Sequence, residues 1–265
     1  MPAGRVVALA GALVALAPAA PLGAEVPVDT ELVLAVDMSQ SMDHGEHRLQ
    51  REGYVAALSH PDVLRAIRSG MYGRIALTYV EWGGPGAQSV VVPWTLVEDA
   101  ASAESIARAL VSAPLRTIRG TSISGALTYA AGLFEGNGFE GFRRVIDVSG
   151  DGPNSSGPPV VPARDQALAG DVIINGLPIM LRAPSFTPWS IPDLDLYYTD
   201  CVIGGPGSFV IPVEDPSQFV VAIRQKLVLD IAGAPPRVLP AAETAREPRI
   251  DCLIGEKLRR QWLEP

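Results

Sequence analysis

Short apolar runs alternate with segments of helical spacing along most of the chain. Continuous apolar runs such as ELVLAVD are typical of strands that are buried on both faces, as in a parallel sheet. Runs of strand length occur at residues 31–37, 73–82, 88–94, 143–149, 171–180 and 208–213. Segments of helical spacing occur at residues 44–59, 98–112, 123–135, 162–169 and 216–231. This alternation predicts an α/β fold with a doubly wound, mostly parallel sheet.

Local signals refine two of these elements. The turn at residues 83–86 (Gly-Gly-Pro-Gly) is too short for a crossover, so the runs 73–82 and 88–94 should form an antiparallel hairpin. One edge strand of the sheet is therefore expected to be antiparallel. Asp43 followed by Glu46 has the spacing of a capping box, which predicts that a helix begins just after Asp43.

The N-terminus has the three-part pattern of a secretory signal. A single basic residue, Arg5, precedes an apolar stretch at residues 6–17, and a small, proline-rich stretch follows at residues 18–24. The apolar stretch is too short to cross a bilayer of about 30 Å as a helix. An uncleaved membrane anchor is the alternative interpretation of this segment.

The signal pattern predicts the organisation and the location of the chain. Residues 1–24 are expected to be a signal peptide, residues 25–231 a single domain and residues 232–265 a polar tail. No later apolar run reaches the length of a spanning helix, so no membrane span is expected in the mature chain. We therefore expect an exported protein, either periplasmic or secreted.

Composition and charge narrow the classes of partner. The chain has 265 residues, of which 48% are hydrophobic and 19% are charged, and this composition excludes an intrinsically disordered protein. Asp and Glu number 29 against 21 Lys and Arg, which gives a formal net charge of −8. Nucleic acid is not expected as a partner, because its phosphates require a basic surface.

The chain contains two cysteines, Cys201 and Cys252, both in the part expected to be exported. An even number of cysteines in an oxidising compartment favours a disulfide, which would tie the tail to the domain. Two separate buried thiols are the alternative. Neighbouring His44 and His47 lack the further ligands of a zinc site, so we expect both to lie on the surface.

Oxygen-bearing side chains follow three of the predicted elements. Asp37, Ser39 and Ser41 come at the end of the first strand in an Asp-x-Ser-x-Ser pattern, Thr121 opens a helix, and Asp151 follows the strand at 143–149. Ligand sites of open α/β sheets lie beyond the carboxyl ends of the strands, so these groups should meet at one edge. Carboxylate and hydroxyl oxygens suit Mg²⁺ or Mn²⁺ better than zinc.

These five residues resemble the metal-ion-dependent adhesion site (MIDAS) of the von Willebrand factor type A (vWA) domain. That site uses Asp-x-Ser-x-Ser, a Thr and an Asp before Gly, which correspond in order to Asp37, Ser39, Ser41, Thr121 and Asp151. The resemblance covers about residues 30–231. A closer resemblance is to a bacterial group of exported proteins of unknown function, and it is carried by the stretches TYVEW, VVPWTL, GTSISGAL, RVIDVSGDGPN and DCVIGGPGSF.

The resemblance implies a binding module in which the metal captures an acidic side chain of a protein partner. Residues near the site would contact that partner, and Trp82 and Gln40 are the candidates; for Trp82 the alternative is packing at the rim of the sheet. Gly150 replaces the Thr or Ser that usually precedes the second Asp, which leaves the support of Asp151 open. A nucleophile elbow, a phosphate-binding loop and a dinucleotide fingerprint are all missing from the sequence, so no catalytic residue is predicted. The alternatives are a Mg²⁺- or Mn²⁺-dependent hydrolase of phosphates or esters and a metal-free structural subunit.

Overall fold

The computed structural model describes residues 24–181, 190–233 and 248–263. The predicted signal peptide, except for its last residue, lies outside the described residues. Much of the predicted tail and part of the proline-rich segment after residue 181 lie outside them as well.

The described part of the chain forms one five-stranded sheet with the order β3-β2-β1-β4-β5. All neighbouring strands pair in parallel except β2 and β3, which form the predicted antiparallel hairpin. This arrangement confirms the mostly parallel sheet with one antiparallel edge strand. The strands are Val26–Asp37 (β1), Ile75–Trp82 (β2), Gln88–Val97 (β3), Phe139–Gly150 (β4) and Val172–Pro178 (β5).

Helices cover both faces of this sheet. α1 begins with the predicted capping box, in which Asp43 accepts from the Glu46 amide and the Glu46 side chain accepts from the Asp43 amide. A five-residue π-helical turn, Tyr198–Val202, continues α6, and a 3₁₀ turn, Pro216–Gln218, precedes α7. The α-helices are His44–Leu58 (α1), Pro61–Arg68 (α2), Ala100–Ser112 (α3), Ile123–Gly132 (α4), Val160–Ala169 (α5), Leu194–Tyr197 (α6), Phe219–Ala232 (α7) and Ile254–Leu263 (α8).

The strand order creates a topological switch point at the centre of the sheet. From β1 the chain proceeds outward through β2 to β3 and then returns to the other side of β1 for β4 and β5. The carboxyl ends of β1 and β4 therefore lie side by side while their following loops diverge, which leaves a crevice for ligands. Asp37 ends β1 and Gly150 ends β4, so the first and last predicted ligand loops both begin at this crevice.

Each face of the sheet has its own hydrophobic core. On one face, apolar residues of β1 such as Leu32 and Leu34 pack with Tyr54 of α1 and Leu227 of α7. On the other face, the alternate β1 residues Val33 and Ala35 pack with α4, α5 and the α6 region. Burial of both faces explains why the strands have continuous apolar runs without alternating polar positions.

Three sequence predictions differ from the structure. Residues 208–213 were predicted as a strand, but the segment makes isolated bridges, from Val210 to β5 and from Val213 to Ile179 just beyond its end. Helix α2 was not predicted, although Pro61 at its first turn and the buried Val63 and Ile67 fit an amphipathic helix. Part of the predicted polar tail is the helix α8.

The two edges of the sheet are both interrupted. On the outer strand β3, the pairing with β2 shifts register between Leu77 and Tyr79, and exposed Pro93 lies at that irregularity. On the other edge, Gly204 and Val210 from the segment after α6 bridge β5, and Val213 bridges Ile179 just beyond its end.

A buried ionic cluster links β4 with α7. Lys226 Nζ lies 2.8 Å from Asp147 Oδ1 and 3.2 Å from Asp230 Oδ1, and all three side chains are at most 1% exposed. The contact between Lys226 and Asp147 is an ion pair whose geometry does not meet that of a hydrogen bond. Asn175 of β5 donates to Asp230 at 2.7 Å. Asp147 is thus a buried acid whose charge is compensated within the core.

No helix in the described ranges is long and apolar enough to cross a membrane.

Candidate metal centre

Four of the five predicted ligands are joined by short contacts at the switch point. The Ser39 amide donates to Asp37 Oδ1 at 2.7 Å, Ser39 Oγ lies 2.7 Å from Ser41 Oγ, and Ser41 Oγ donates to Asp151 Oδ1 at 2.6 Å. Asp37 and Ser39 are fully buried, whereas Ser41 and Asp151 are partly exposed. The set therefore extends from the interior of the sheet to the protein surface.

Thr121 lies in a loop that is hydrogen-bonded to both other loops. Ile118 and the Asp37 loop exchange two backbone hydrogen bonds, at 2.7 Å to the Met38 carbonyl and 2.9 Å from the Gln40 amide. The Thr121 carbonyl accepts from the amides of Ser155 and Ser156, both at 3.0 Å, in the loop that follows Asp151. The structure thus holds the three predicted ligand loops together, and it leaves the Thr121 side chain almost fully buried.

Two buried side chains of α1 support the Asp37 loop. His47 Nε2 donates to the Ser39 carbonyl at 3.1 Å, and Gln50 Nε2 lies 3.4 Å from both the Asp37 carbonyl and Ser149 Oγ. Burial lowers the pKa of His47, so the neutral imidazole is favoured. The expectation that His47 lies on the surface was therefore wrong. Its position one helical turn into α1 turns it toward the loop that precedes the helix.

The second carboxylate oxygen of Asp37 lies in an unusual environment. Within the described residues Asp37 Oδ2 has no hydrogen-bond partner, and neither does the hydroxyl of Tyr198, which is also fully buried. A Cβ atom on Gly150 would lie 2.9 Å from Asp37 Oδ2 and 2.8 Å from the Tyr198 hydroxyl. Because residue 150 is a glycine, the space between these two oxygens stays open. The Tyr198 hydroxyl reaches this space from a segment that is distant in sequence.

Burial dominates the electrostatics of this site. Desolvation, together with the charge of nearby Asp151, raises the pKa of Asp37 well above its ordinary value. Desolvation and the charges of Asp37 and Asp151 also raise the pKa of Tyr198 far above its ordinary value, so its hydroxyl keeps its proton. The centre therefore combines two carboxylates that repel each other with hydroxyl groups that carry no charge.

This donor set fits a hard divalent cation. A divalent ion would neutralise the two carboxylates, and the oxygens of Ser39, Ser41 and Thr121 would add ligands without further charge. Asp37 Oδ2 is a buried oxygen without a hydrogen-bond partner in the described part of the chain, whereas such atoms normally have one. Within the described ranges, no three His, Cys, Asp or Glu side chains converge as they would in an all-carboxylate or zinc-type site.

The two predicted contact residues differ in accessibility. Gln40 is exposed beside the centre. Trp82 is 0% exposed and packs in the core beneath the crevice, which agrees with the packing alternative and contradicts its role as a contact residue. Its position at the end of β2 places it on the α4 face of the sheet, where the neighbouring helices and the Tyr198 segment cover it.

Cys201 and Cys252 form the expected disulfide, with their Cα atoms 5.5 Å apart. The bond ties α8 to the segment after α6. Glu256 of α8 accepts from Asn154 Nδ2 at 2.7 Å, and a Cβ atom on Gly255 would lie only 2.2 Å from the Asn154 carbonyl oxygen. The close approach at Gly255 holds α8 directly against the loop that begins with Asp151.

Solved structures resemble this architecture at low sequence identity. Proximal thread matrix protein 1 from the mussel byssus is 16% identical, with a TM-score of 0.56 over 78% of this chain and 49% of its own. A von Willebrand factor type A protein from Catenulispora acidiphila is 17% identical, with a TM-score of 0.54 over 77% of this chain and 43% of its own. A further structure of the mussel protein, with a zinc-occupied MIDAS motif, has a TM-score of 0.52 at 16% identity and covers 78% of this chain and 49% of its own.

This chain spans less than half the length of the chains in those three structures, and the likeness establishes a vWA-like fold. A comparison with curated proteins gave no significant match. The sequence profile of a family described as "Protein of unknown function (DUF1194)" matches residues 27–235, which is most of the chain and includes all five predicted ligands. The chain therefore belongs to the DUF1194 family and has a vWA-like fold.

Proposed function

We propose that this chain is an exported binding module that holds one Mg²⁺ or Mn²⁺ at the switch point and uses it to capture an acidic group of a protein partner. The observation that carries the proposal is the continuous contact from buried Asp37 through Ser39 and Ser41 to partly exposed Asp151. A cation held there would be the largest local charge and would attract an anion from outside.

The metal also resolves an electrostatic difficulty of the proposed partnership. The chain carries a formal net charge of −8, so an acidic partner would be repelled at long range. A divalent ion beside Asp37 and Asp151 supplies the positive charge where the partner's carboxylate arrives. The zinc-occupied MIDAS motif of the mussel protein supports a divalent ion at this place in the fold.

Export is supported by two separate features. The N-terminal sequence has the pattern of a cleaved signal, and the Cys201–Cys252 disulfide is typical of oxidising compartments. We therefore propose a periplasmic or secreted location, with the signal peptide removed. Mass spectrometry of the exported protein would reveal whether the chain begins near residue 25.

Titration calorimetry with MgCl₂ and MnCl₂ tests the metal site. We expect saturable binding by the exported protein and loss of binding in Asp37→Ala, because that change removes one of the two carboxylates among the five predicted ligands. Asp165→Ala is the matched control, since Asp165 is an exposed acid on α5. Absence of binding in the unaltered protein would refute the proposal and leave the metal-free structural subunit.

A screen of phosphate and ester substrates with Mn²⁺ distinguishes the binding module from the hydrolase. Turnover that disappears in Asp151→Ala would overturn the purely adhesive role. We expect no turnover in either protein.

A further inference from the structure

A cleft of about 450 Å³ lies directly beside the candidate metal centre. Gln40, from the Asp37 loop, lines one side, and Arg119, from the Thr121 loop, lines another. Arg259 and Trp262 of α8 form the opposite wall. Ser155 and Ser156 of the Asp151 loop line it as well, so the cleft shares all three ligand loops with the metal centre and is completed by α8.

The wall formed by α8 is held in place by several independent contacts. The disulfide anchors the segment before the helix, and the Glu256–Asn154 hydrogen bond anchors its first turn. Farther along, Arg259 Nη1 donates to the Ser155 carbonyl at 3.3 Å. The position of the wall relative to the Asp151 loop is therefore fixed by covalent and polar contacts.

The charge of the cleft is opposite to that of the chain. Among the residues that the structure describes, Arg119 and Arg259 are the ionisable ones that line it, and no Asp or Glu does so. Both arginines are exposed, and a guanidinium has five N–H donors, so Arg259 retains donors after it contacts Ser155. In a protein of net charge −8, such a positive concavity favours an anionic ligand.

An exposed aromatic ring completes the cleft. Trp262 is 61% exposed, and neighbouring Leu263, also a lining residue, is 67% exposed. Large apolar side chains in a concave, positively charged site are typical of surfaces that become covered on binding. Tryptophan and arginine are also the residue types that most often dominate the energy of protein interfaces.

We propose that this cleft binds an acidic segment of the protein partner, next to the carboxylate that the metal captures. Arg119 and Arg259 pair with further carboxylates of that segment, and an apolar residue of it covers Trp262. This inference rests on the proposed function, which it extends from a single captured carboxylate to a recognised peptide. The metal provides the anchor, and the two arginines select partners with more than one acidic residue.

The test uses two fluorescein-labelled peptides of equal length, one rich in glutamate with a single leucine and the other with glutamine in place of each glutamate. Binding to the exported protein is followed by fluorescence anisotropy with saturating Mg²⁺. We expect the glutamate peptide to bind and the glutamine peptide to bind much more weakly. Added salt should weaken the complex, because the proposed pairs are at the surface.

Substitutions then locate the binding site. Arg119→Gln and Arg259→Gln should each weaken binding of the glutamate peptide by about two- to fivefold, the range of exposed ion pairs. Arg260→Gln is the matched control, because Arg260 is exposed on the same helix and does not line the cleft. Thermal unfolding of each variant establishes that the fold is retained.

Chelation with EDTA separates the cleft from the metal. If EDTA abolishes binding and both cleft variants bind as well as the unaltered protein, the proposed role of the cleft is refuted and metal capture is supported. If EDTA has no effect and the cleft variants still weaken binding, metal capture is refuted and the cleft stands. Equal weakening by Arg260→Gln, or no binding of the glutamate peptide to the unaltered protein, also overturns the cleft.

Discussion

Replacing Lys226 by methionine should destabilise the protein strongly, because it leaves two buried carboxylates without their cation. Lys226 Nζ contacts Asp147 at 2.8 Å and both oxygens of Asp230 at 3.2 and 3.3 Å, and none of the three side chains has appreciable exposure. Methionine retains the length and the apolar stem of lysine, so the variant mainly tests the charge.

The magnitude follows from the burial of the cluster. Removing one partner of a buried ion pair costs about 3–5 kcal/mol, because the remaining charge is desolvated and uncompensated. For a domain of this size the melting temperature changes by about 2–4 °C per kcal/mol, so we expect a fall of roughly 6–20 °C. Lys257→Met is the matched control. Its ion pair with Asp251 is at the surface and should contribute less than about 1 kcal/mol.

The loss of stability in Lys226→Met should also depend on pH. Burial raises the pKa of Asp147 to about 7, even though Lys226 opposes the shift, and burial raises the pKa of Asp230 as well. A raised pKa in the folded state means that protonation stabilises the fold fully below the ordinary pKa of about 3.9 and that this stabilisation is lost as the pH rises through 7. Without Lys226 both pKa values rise further, so the difference between Lys226→Met and the unaltered protein should be larger at pH 8 than at pH 5.

Urea unfolding followed by circular dichroism at both pH values measures these quantities. Adding Asp147→Asn to Lys226→Met should recover part of the lost stability, since it removes one of the two uncompensated charges. A loss below about 1 kcal/mol for Lys226→Met, or a loss of the same size at both pH values, would refute the view that this cluster is a compensated set of buried charges.

Three further substitutions test the surroundings of the candidate site. Gly150→Ser should destabilise the protein by about 1–3 kcal/mol in urea unfolding, because its Cβ would lie under 3 Å from Asp37 Oδ2 and the Tyr198 hydroxyl; unchanged stability would mean that the space is not closely filled. Tyr198→Phe should change the free energy of unfolding by less than about 1 kcal/mol, since it removes a buried hydroxyl without a partner among the described residues; a larger loss would reveal a hydrogen bond. Cys252→Ser should release α8, and limited proteolysis with mass spectrometry should then detect cleavage before residue 254, whereas cleavage at the same rate as in the unaltered protein would mean that the noncovalent contacts hold α8 alone.

Much of the fold could be predicted because the strands are buried on both faces. Their apolar runs are continuous, their loops are marked by glycine and proline, and the short turn before β3 permits only an antiparallel pair. The convergence of Asp37 and Asp151 followed from a general property of parallel sheets, in which strand ends share one edge. The sequence motifs therefore located the candidate site once the order of the elements was known.

The parts that escaped prediction depend on contacts between distant segments. Tyr198 reaches the space beside Gly150 from a segment 48 positions later in the chain, and α8 is placed by the disulfide and by Asn154. Ile254 and Leu258 lie one helical turn apart and pack, partly buried, against the core on the α4 face, so a short amphipathic pattern was present in a segment that was predicted only as a polar tail. The burial of His47 likewise depends on the loop that folds back over α1. Such a contact with a loop cannot be predicted from hydrophobic periodicity.

The interrupted edges of the sheet affect how the protein behaves among its own copies. An outer strand with a row of free amides and carbonyls is a template onto which an identical strand can add, and repeated addition leads to fibrils. Pro93 withholds an amide at the kink of β3, and the bridges from Gly204, Val210 and Val213 occupy the opposite side. Addition of an identical strand at either edge is therefore disfavoured. At high concentration, copies of this domain would associate through side-chain contacts and not through an extended sheet.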